Sequence, residues 1–183
     1  MKIEYITSNR KKYEEAVLIL QPWELEQVEM DLPELQGEPE EIIREKAFVA
    51  LHHHQKPLIV EDVSMFVTAL GGLPGPYVKD FLKKLGEQGL SQLVHKFDDH
   101  TAYVSCIAAY IAPGEQPHIF EGRQKGIIVT PRGDTRHGSV SWNTIFQPDG
   151  FTKTFGELTL EEHSKISMRR IALEKLKLFF ESR

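Results

Sequence analysis

Short apolar blocks and longer blocks of helical period take turns along this chain, and that alternation reads as an α/β fold. "IEYIT" reads as a short strand, and "NRKKYEEAVLIL" carries Tyr13, Ala16, Val17 and Leu20 at helical spacing. "ELEQVEM" alternates like a second strand, and "LPELQGEP" breaks into a loop. "PEEIIREKAFVALHHH" predicts a helix, with Pro39 in its first turn and Ile42, Ile43, Ala47, Ala50 and Leu51 on one face. "PLIVED" reads as a buried strand ending in two carboxylates, with "SMFVTAL" as its extension or partner, followed by a tight turn at "GGLPGP". Two short helices, "YVKDFLKKL" and "GLSQLVHKF", precede two long neighbouring strands, "TAYVSCIAAYIA" and "PHIFEGRQKGIIVT". "PRGDTRHGSVSW" is a long polar loop of the kind that carries function, and "SMRRIALEKLKLFFES" is a closing helix. No repeat, low-complexity tract or linker interrupts the pattern, so residues 1–183 are expected to form one domain.

Composition narrows the partners. The chain is 40% hydrophobic and 27% charged, which is ordinary for a soluble globular protein. Its formal net charge of -5 argues against a nucleic-acid scaffold. No apolar run approaches membrane-span length, and no signal peptide is visible. Cys106 is the single cysteine, which excludes an intramolecular disulfide and fits a reducing, cytoplasmic setting.

Against that acidic background the first strand-to-helix junction stands out. Thr7-Ser8-Asn9 and Arg10-Lys11-Lys12 place small polar residues and three cations where a parallel sheet presents its ligand site. A helix N-terminus favours an anion, and the cations suggest one with several charges, a phosphate first of all. Glu61 and Asp62 end an apolar strand and Glu34 sits in a loop, positions from which carboxylates can hold Mg²⁺. Each signal has an ordinary alternative. Glu61 and Asp62 read equally as a solvated strand end, Lys79 as a surface lysine, and "TSNRKK" as an N-cap followed by solvated charge. His52-His53-His54 cannot converge on one ion from a single helix and reads as an exposed helix end. Cys106 reads as a small buried apolar residue, and Trp23 as packing. Walker A, "GxSxG" and "CxxC" patterns are all missing.

The order of these weak signals resembles the inosine triphosphate pyrophosphatase family over nearly the whole chain. Thr7 to Lys12 is similar to its "TGNxxK" phosphate loop, and Leu32 to Glu38 to its "LPExQGE" segment. "VEDVSMFVTALGGLPGPYVKDFL" is especially close to the eukaryotic branch, and "IFQPDGFTKTFGEL" resembles "xFxPDGxxxTxAEL". The resemblance implies a long bent mixed sheet with helices forming two lobes around a cleft, and a homodimer. It implies hydrolysis of ITP, dITP and XTP to monophosphate and pyrophosphate, dependent on Mg²⁺, with Mn²⁺ able to substitute. Lys12, Lys46 and Lys79 would neutralise the triphosphate, with Thr7, Ser8 and Asn9 donating from the loop. Glu34 and Asp62 would bind the metal, with Glu61 near the same shell. Asp62 would also orient or deprotonate the attacking water.

The base-reading end departs from the family. "FGWDP" is Val140-Ser141-Trp142-Asn143-Thr144 here, and in "EKNxxSHR" the lysine, asparagine and histidine fall on His163, Ser164 and Met168, leaving Ser167 and Arg169 as matches. The base set is thus Val140, Trp142, Asn143, His163, Ser167, Met168 and Arg169. Two alternatives stay open: the same hydrolysis with altered or relaxed base choice, and a non-catalytic nucleotide-binding module. The joint presence of Lys12, Glu34, Asp62 and Lys79 weighs against the second.

Overall fold

The computed structural model describes residues 2–30, 32–33, 35–134 and 141–183. Among them seven strands form one mixed sheet. The strands β1 (Lys2–Ile6), β2 (Glu24–Val28), β3 (Leu58–Val67), β4 (Pro74–Gly75), β5 (Thr101–Ile111), β6 (His118–Ile128) and β7 (Phe146–Pro148) follow the spatial order β2-β1-β3-β5-β6-β7, with β4 on β3. β1 runs parallel to β2 and β3, while β4 and β7 are antiparallel to their neighbours. The helices are α1 (Arg10–Ile19), α2 (Pro39–His54), α3 (Val78–Val94), α4 (Leu160–Ile166) and α5 (Met168–Glu181). The α/β class expected from the pattern, and the mixed sheet and flanking helices implied by the resemblance, are all present. No helix among the described residues is long and apolar enough to cross a membrane.

The chain divides into two compact units, each assembled from separate segments. The first runs to Asp62 and takes in Cys106–Gly122 and Met168–Arg183; the second comprises Val63–Ser105 and Arg123–Ser167.

In the first unit the period-2 alternation of the strands assigns the helices to faces. Ile6, Leu58, Val60, Ile107, Ala109 and Ile111 point to one side and form a buried core with Ile43, Ala47 and Ala50 of α2. Burying each large aliphatic side chain contributes roughly 1.5–3 kcal/mol, so this layer dominates the local stability. The residues between them, among them Tyr5, Glu61, Cys106 and Tyr110, face α1 and α5: Tyr5 meets Tyr13 of α1 at 6.4 Å, and Tyr110 meets Phe180 of α5 at 4.8 Å. Trp23 packs on Phe180 at 5.3 Å, as its packing role predicts. The close seat of α5 depends on Gly122: a Cβ there would collide with the Met168 carbonyl oxygen and reach 2.7 Å from Ala172 N.

Local chemistry explains the helix boundaries. Asn9 caps α1, its side chain accepting from Lys11 N and Lys12 N. α2 starts at Pro39, with Glu41 reaching back to accept from Glu38 N at 3.1 Å. Its end is not simply exposed. His52 and His53 are exposed, but His54 Nδ1 lies 2.9 Å from Glu4, a carboxylate that is 4% exposed and also holds Lys56 at 2.9 Å.

In the second unit the two short helices expected over 77–97 are present as the two arms of α3, separated at Gly86, whose φ of 66° and ψ of 176° are not helical. "PLIVED" and "SMFV" are one continuous strand, β3. Phe146, Phe155 and Trp142 form an aromatic nest with centroid separations of 5.2–5.9 Å.

Candidate active site

The register locates the junction that drew attention in the sequence. Tyr5 pairs with Ile59, so β1 ends level with Val60 and β3 carries Glu61 and Asp62 past it. The chain beyond β1 is Thr7-Ser8-Asn9 and then α1. This is the carboxyl end of a parallel strand, where open α/β sheets place ligands. Thr7 Oγ1 accepts from Asn9 N at 3.1 Å, and Asn9 Oδ1 accepts from Lys11 N at 3.1 Å and Lys12 N at 3.3 Å. The loop side chains therefore brace their own backbone, and the capping Asn9 occupies two N–H groups of the helix start.

Adjacent strand residues point to opposite faces, and the two carboxylates have different surroundings. Glu61 turns toward α1 and α5. Its side chain is 1% exposed and accepts from Lys12 Nζ at 2.8 Å, from Arg169 Nε at 2.9 and 3.1 Å, and from the Tyr5 hydroxyl at 2.6 Å. The Cys106 thiol lies 3.9 Å from the same carboxylate. Burial pushes Glu61 up, but Arg169 and Lys12 outweigh it and hold the group well below the usual carboxylate range. Burial, then the Glu61 charge, push both the Tyr5 phenol and the Cys106 thiol far up, so both stay neutral donors. Arg169 also donates to Glu15 Oε2 at 2.9 Å, giving two cations and two carboxylates in one largely buried group. Asp62 turns toward α2, where its carboxylate is 25% exposed and lies 3.4 Å from Lys46 Nζ.

The remaining sequence-predicted residues lie in the second unit or outside the described residues. Lys79 occupies the second position of α3 and is exposed. Trp142 and Asn143 start a short 3-10 turn. Ser141 Oγ accepts from Asn143 N at 3.3 Å, and Gly156 N donates to the Asn143 carbonyl at 2.8 Å, so Asn143 is buried and its backbone pinned. His163 sits on α4, which a Thr159–Glu162 capping box starts, and its ring meets Phe155 at 4.7 Å. Ser167 is fully buried, and its hydroxyl finds no partner among the described residues. Met168 is buried at the start of α5, in the first unit. Arg169, grouped by the resemblance with the base readers, is held in the first unit on Glu61 and Glu15. Glu34 and Val140 lie outside the described residues.

Sequence reasoning passed over Tyr5, Glu15 and Phe155. Glu15 had a signal, since it stands three residues after Lys12 on one helix face. Tyr5 had only its inward place on a strand.

Among the described residues no group of three or more His, Cys, Asp or Glu could hold a metal ion. Mg²⁺ needs no such cage, because one or two carboxylates together with waters and substrate phosphates suffice. The half-buried Asp62 carboxylate fits that demand with hard oxygen donors. Glu61 does not, because both its oxygens already accept from Lys12, Arg169 and Tyr5.

A mixed sheet flanked by helices, with cations and carboxylates gathered where a parallel strand hands over to a capped helix, defines an α/β protein suited to handling anions. The Ham1 family model matches residues 3–179, and the chain belongs to that family. It is similar to a solved HAM1 protein from Coxiella burnetii at 22% identity and a TM-score of 0.84, over 100% of both chains. A Ham1 protein from Staphylococcus aureus matches at 23% identity and a TM-score of 0.79, over 100% of this chain and 99% of that one. A nucleoside-triphosphatase / dITP/XTP pyrophosphatase from Mycobacterium abscessus matches at 25% identity and a TM-score of 0.74, over 96% and 98%.

Proposed function

We propose that this chain is a Mg²⁺-dependent pyrophosphohydrolase that converts non-standard purine nucleoside triphosphates, ITP, dITP and XTP among them, to monophosphate and pyrophosphate. Family membership and the likeness to the mycobacterial dITP/XTP pyrophosphatase make it a hydrolase of phosphoric anhydride bonds. The observation that carries the finer reading is the group at the carboxyl end of β1: Lys12 and Arg169 held on buried Glu61, and Asp62 beside Lys46.

Lys12, Lys46 and Lys79 compensate the charge of the triphosphate, with Thr7, Ser8 and Asn9 lining the turn. Asp62, with Glu34, would hold Mg²⁺, which when bound neutralises phosphate charge and acidifies a water. Asp62 orients a water toward the α-phosphorus and accepts its proton. Phosphoryl transfer of this kind rests on positioning and charge stabilisation, so no protein nucleophile is required. Glu61 serves as the fixed anion on which the cations are mounted. By the same resemblance the working form is a cytoplasmic homodimer. A panel of nucleoside triphosphates with pyrophosphate detection tests the reading, and release of orthophosphate instead would refute it.

Lys12→Ala and Lys79→Ala should each weaken every triphosphate by a similar factor, about tenfold or more, as expected for lost charge-assisted hydrogen bonds. A change confined to the ranking of bases would remove that residue from the phosphate end.

A second reading, relaxed base choice, is favoured by Asn143, whose backbone is pinned in the turn where the family carries an aspartate. An ionised aspartate only accepts and so favours the N1–H of hypoxanthine, while an amide can also donate to the N1 acceptor of adenine. His163 in place of lysine adds a second ambivalent group. Asn143→Asp should therefore sharpen the preference for ITP over ATP, read as the ratio of kcat/KM values. Strong ITP and XTP selectivity in the unmodified protein would show that Asn143 does not read the base.

A further inference from the structure

We propose that Tyr5 is a positioning residue for triphosphate binding: its hydroxyl holds Glu61 from the core side and thereby leaves Lys12 available to phosphate oxygens. The inference rests on the reading of Lys12 as a phosphate cation. Tyr5 pairs with Ile59 on β3, so its side chain shares a face with Glu61 two residues on. The residue is 0% exposed, and its hydroxyl donates to Glu61 Oε2 at 2.6 Å, the shortest of the contacts to that carboxylate. The same oxygen accepts from Arg169 Nε at 2.9 Å, while Oε1 faces Lys12 Nζ at 2.8 Å.

Lys12, the more exposed of the two cations, must divide itself between Glu61 and any bound phosphate, while Arg169 stays on Glu61 and Glu15. A buried carboxylate pulls on its cations in proportion to how little else satisfies it. A neutral donor on the core side draws part of that charge and loosens the hold on Lys12 without adding a competing positive charge. A phenol fits the role because burial keeps its proton on. The Cys106 thiol, 3.9 Å from the same oxygen, adds a weaker contribution of the same sign.

Tyr5→Phe removes the hydroxyl and keeps the ring. Calorimetric titration with inorganic tripolyphosphate in EDTA reads the cations directly, without metal or turnover. The dissociation constant should rise about three- to tenfold, the worth of one buried hydrogen bond. Lowered melting temperature with an unchanged constant would overturn the proposal, since that is what a merely structural tyrosine would give. If Tyr5→Phe does not fold, Cys106→Ala carries the test, with a shift in the same direction of about twofold. An unchanged constant in that variant would likewise overturn it. Failure of the unmodified protein to bind tripolyphosphate would instead sink the phosphate assignment of Lys12 itself.

Discussion

Asp62→Asn should remove nearly all turnover from a protein that remains folded. The substitution keeps the shape of the side chain and deletes its charge and its basicity. A positioned general base contributes about 10²–10⁴-fold, so kcat should fall by that factor for every substrate. The fold should persist, because the amide keeps the side chain's shape and an acceptor oxygen toward Lys46 at 3.4 Å, and both side chains of the pair retain some contact with solvent. The unmodified enzyme should lose activity to a chelator and regain it with Mg²⁺, and in part with Mn²⁺. Steady-state rates at saturating nucleotide, with circular dichroism to check the fold, decide the matter. Full activity in the variant would take both the metal and the base role away from Asp62.

Glu61→Gln should have the largest effect on stability. The carboxylate is buried between Lys12 and Arg169, and the amide takes the anion from Lys12 and leaves Arg169 with Glu15 alone, while pointing a donor at both cations. Breaking a buried pair from one side costs about 3–5 kcal/mol. In a chain of 183 residues this corresponds to a melting temperature lower by roughly 6–20 °C. The effect should depend on pH in a definite direction. Glu61 is held below its ordinary value of 4.5 in the folded state, so its contribution is complete above that value. It is lost as pH falls from there through the depressed value, because the unfolded chain binds the proton first. The gap between the two proteins should therefore stay constant from neutral pH down to about 4.5 and close below it. Melting curves recorded between pH 7 and pH 3 test this, and parallel curves throughout would show that Glu61 carries no such linkage.

Much of the architecture was legible from local pattern. Tyr13, Ala16 and Leu20 announced α1, and Asn9 announced its cap, because a cap bonds to backbone two and three residues away. Pro39 with Glu40 and Glu41 announced α2. The apolar run from Leu58 to Val60 announced a buried strand, though not that it would continue past Glu61 and Asp62 as one strand of ten residues. The two short helices expected over 77–97 were legible as well, and they stand on either side of the non-helical Gly86. His54 read as a helix-end residue, and the buried carboxylate that meets it, Glu4, lies fifty positions upstream on another element.

The sequence by itself determined the class of fold, the order of the longer strands and helices, and which cations and carboxylates stand at strand ends, since each depends on periodicity and capping within a few residues; β4, β7 and α4 are too short to show such a period. It did not determine what Glu61 and Asp62 do, although they are neighbours. Only the sheet sends one inward to α1 and α5 and the other toward α2, because successive strand residues alternate faces and the packing differs on each. The partners of Glu61 were equally out of reach. Tyr5 is 56 positions away and Arg169 is 108, and both contacts arise from the pairing of β1 with β3 and the seating of α5 against Gly122. A buried charge must be met by opposite charge and donors, but which ones meet it is decided by register and packing across the whole first unit.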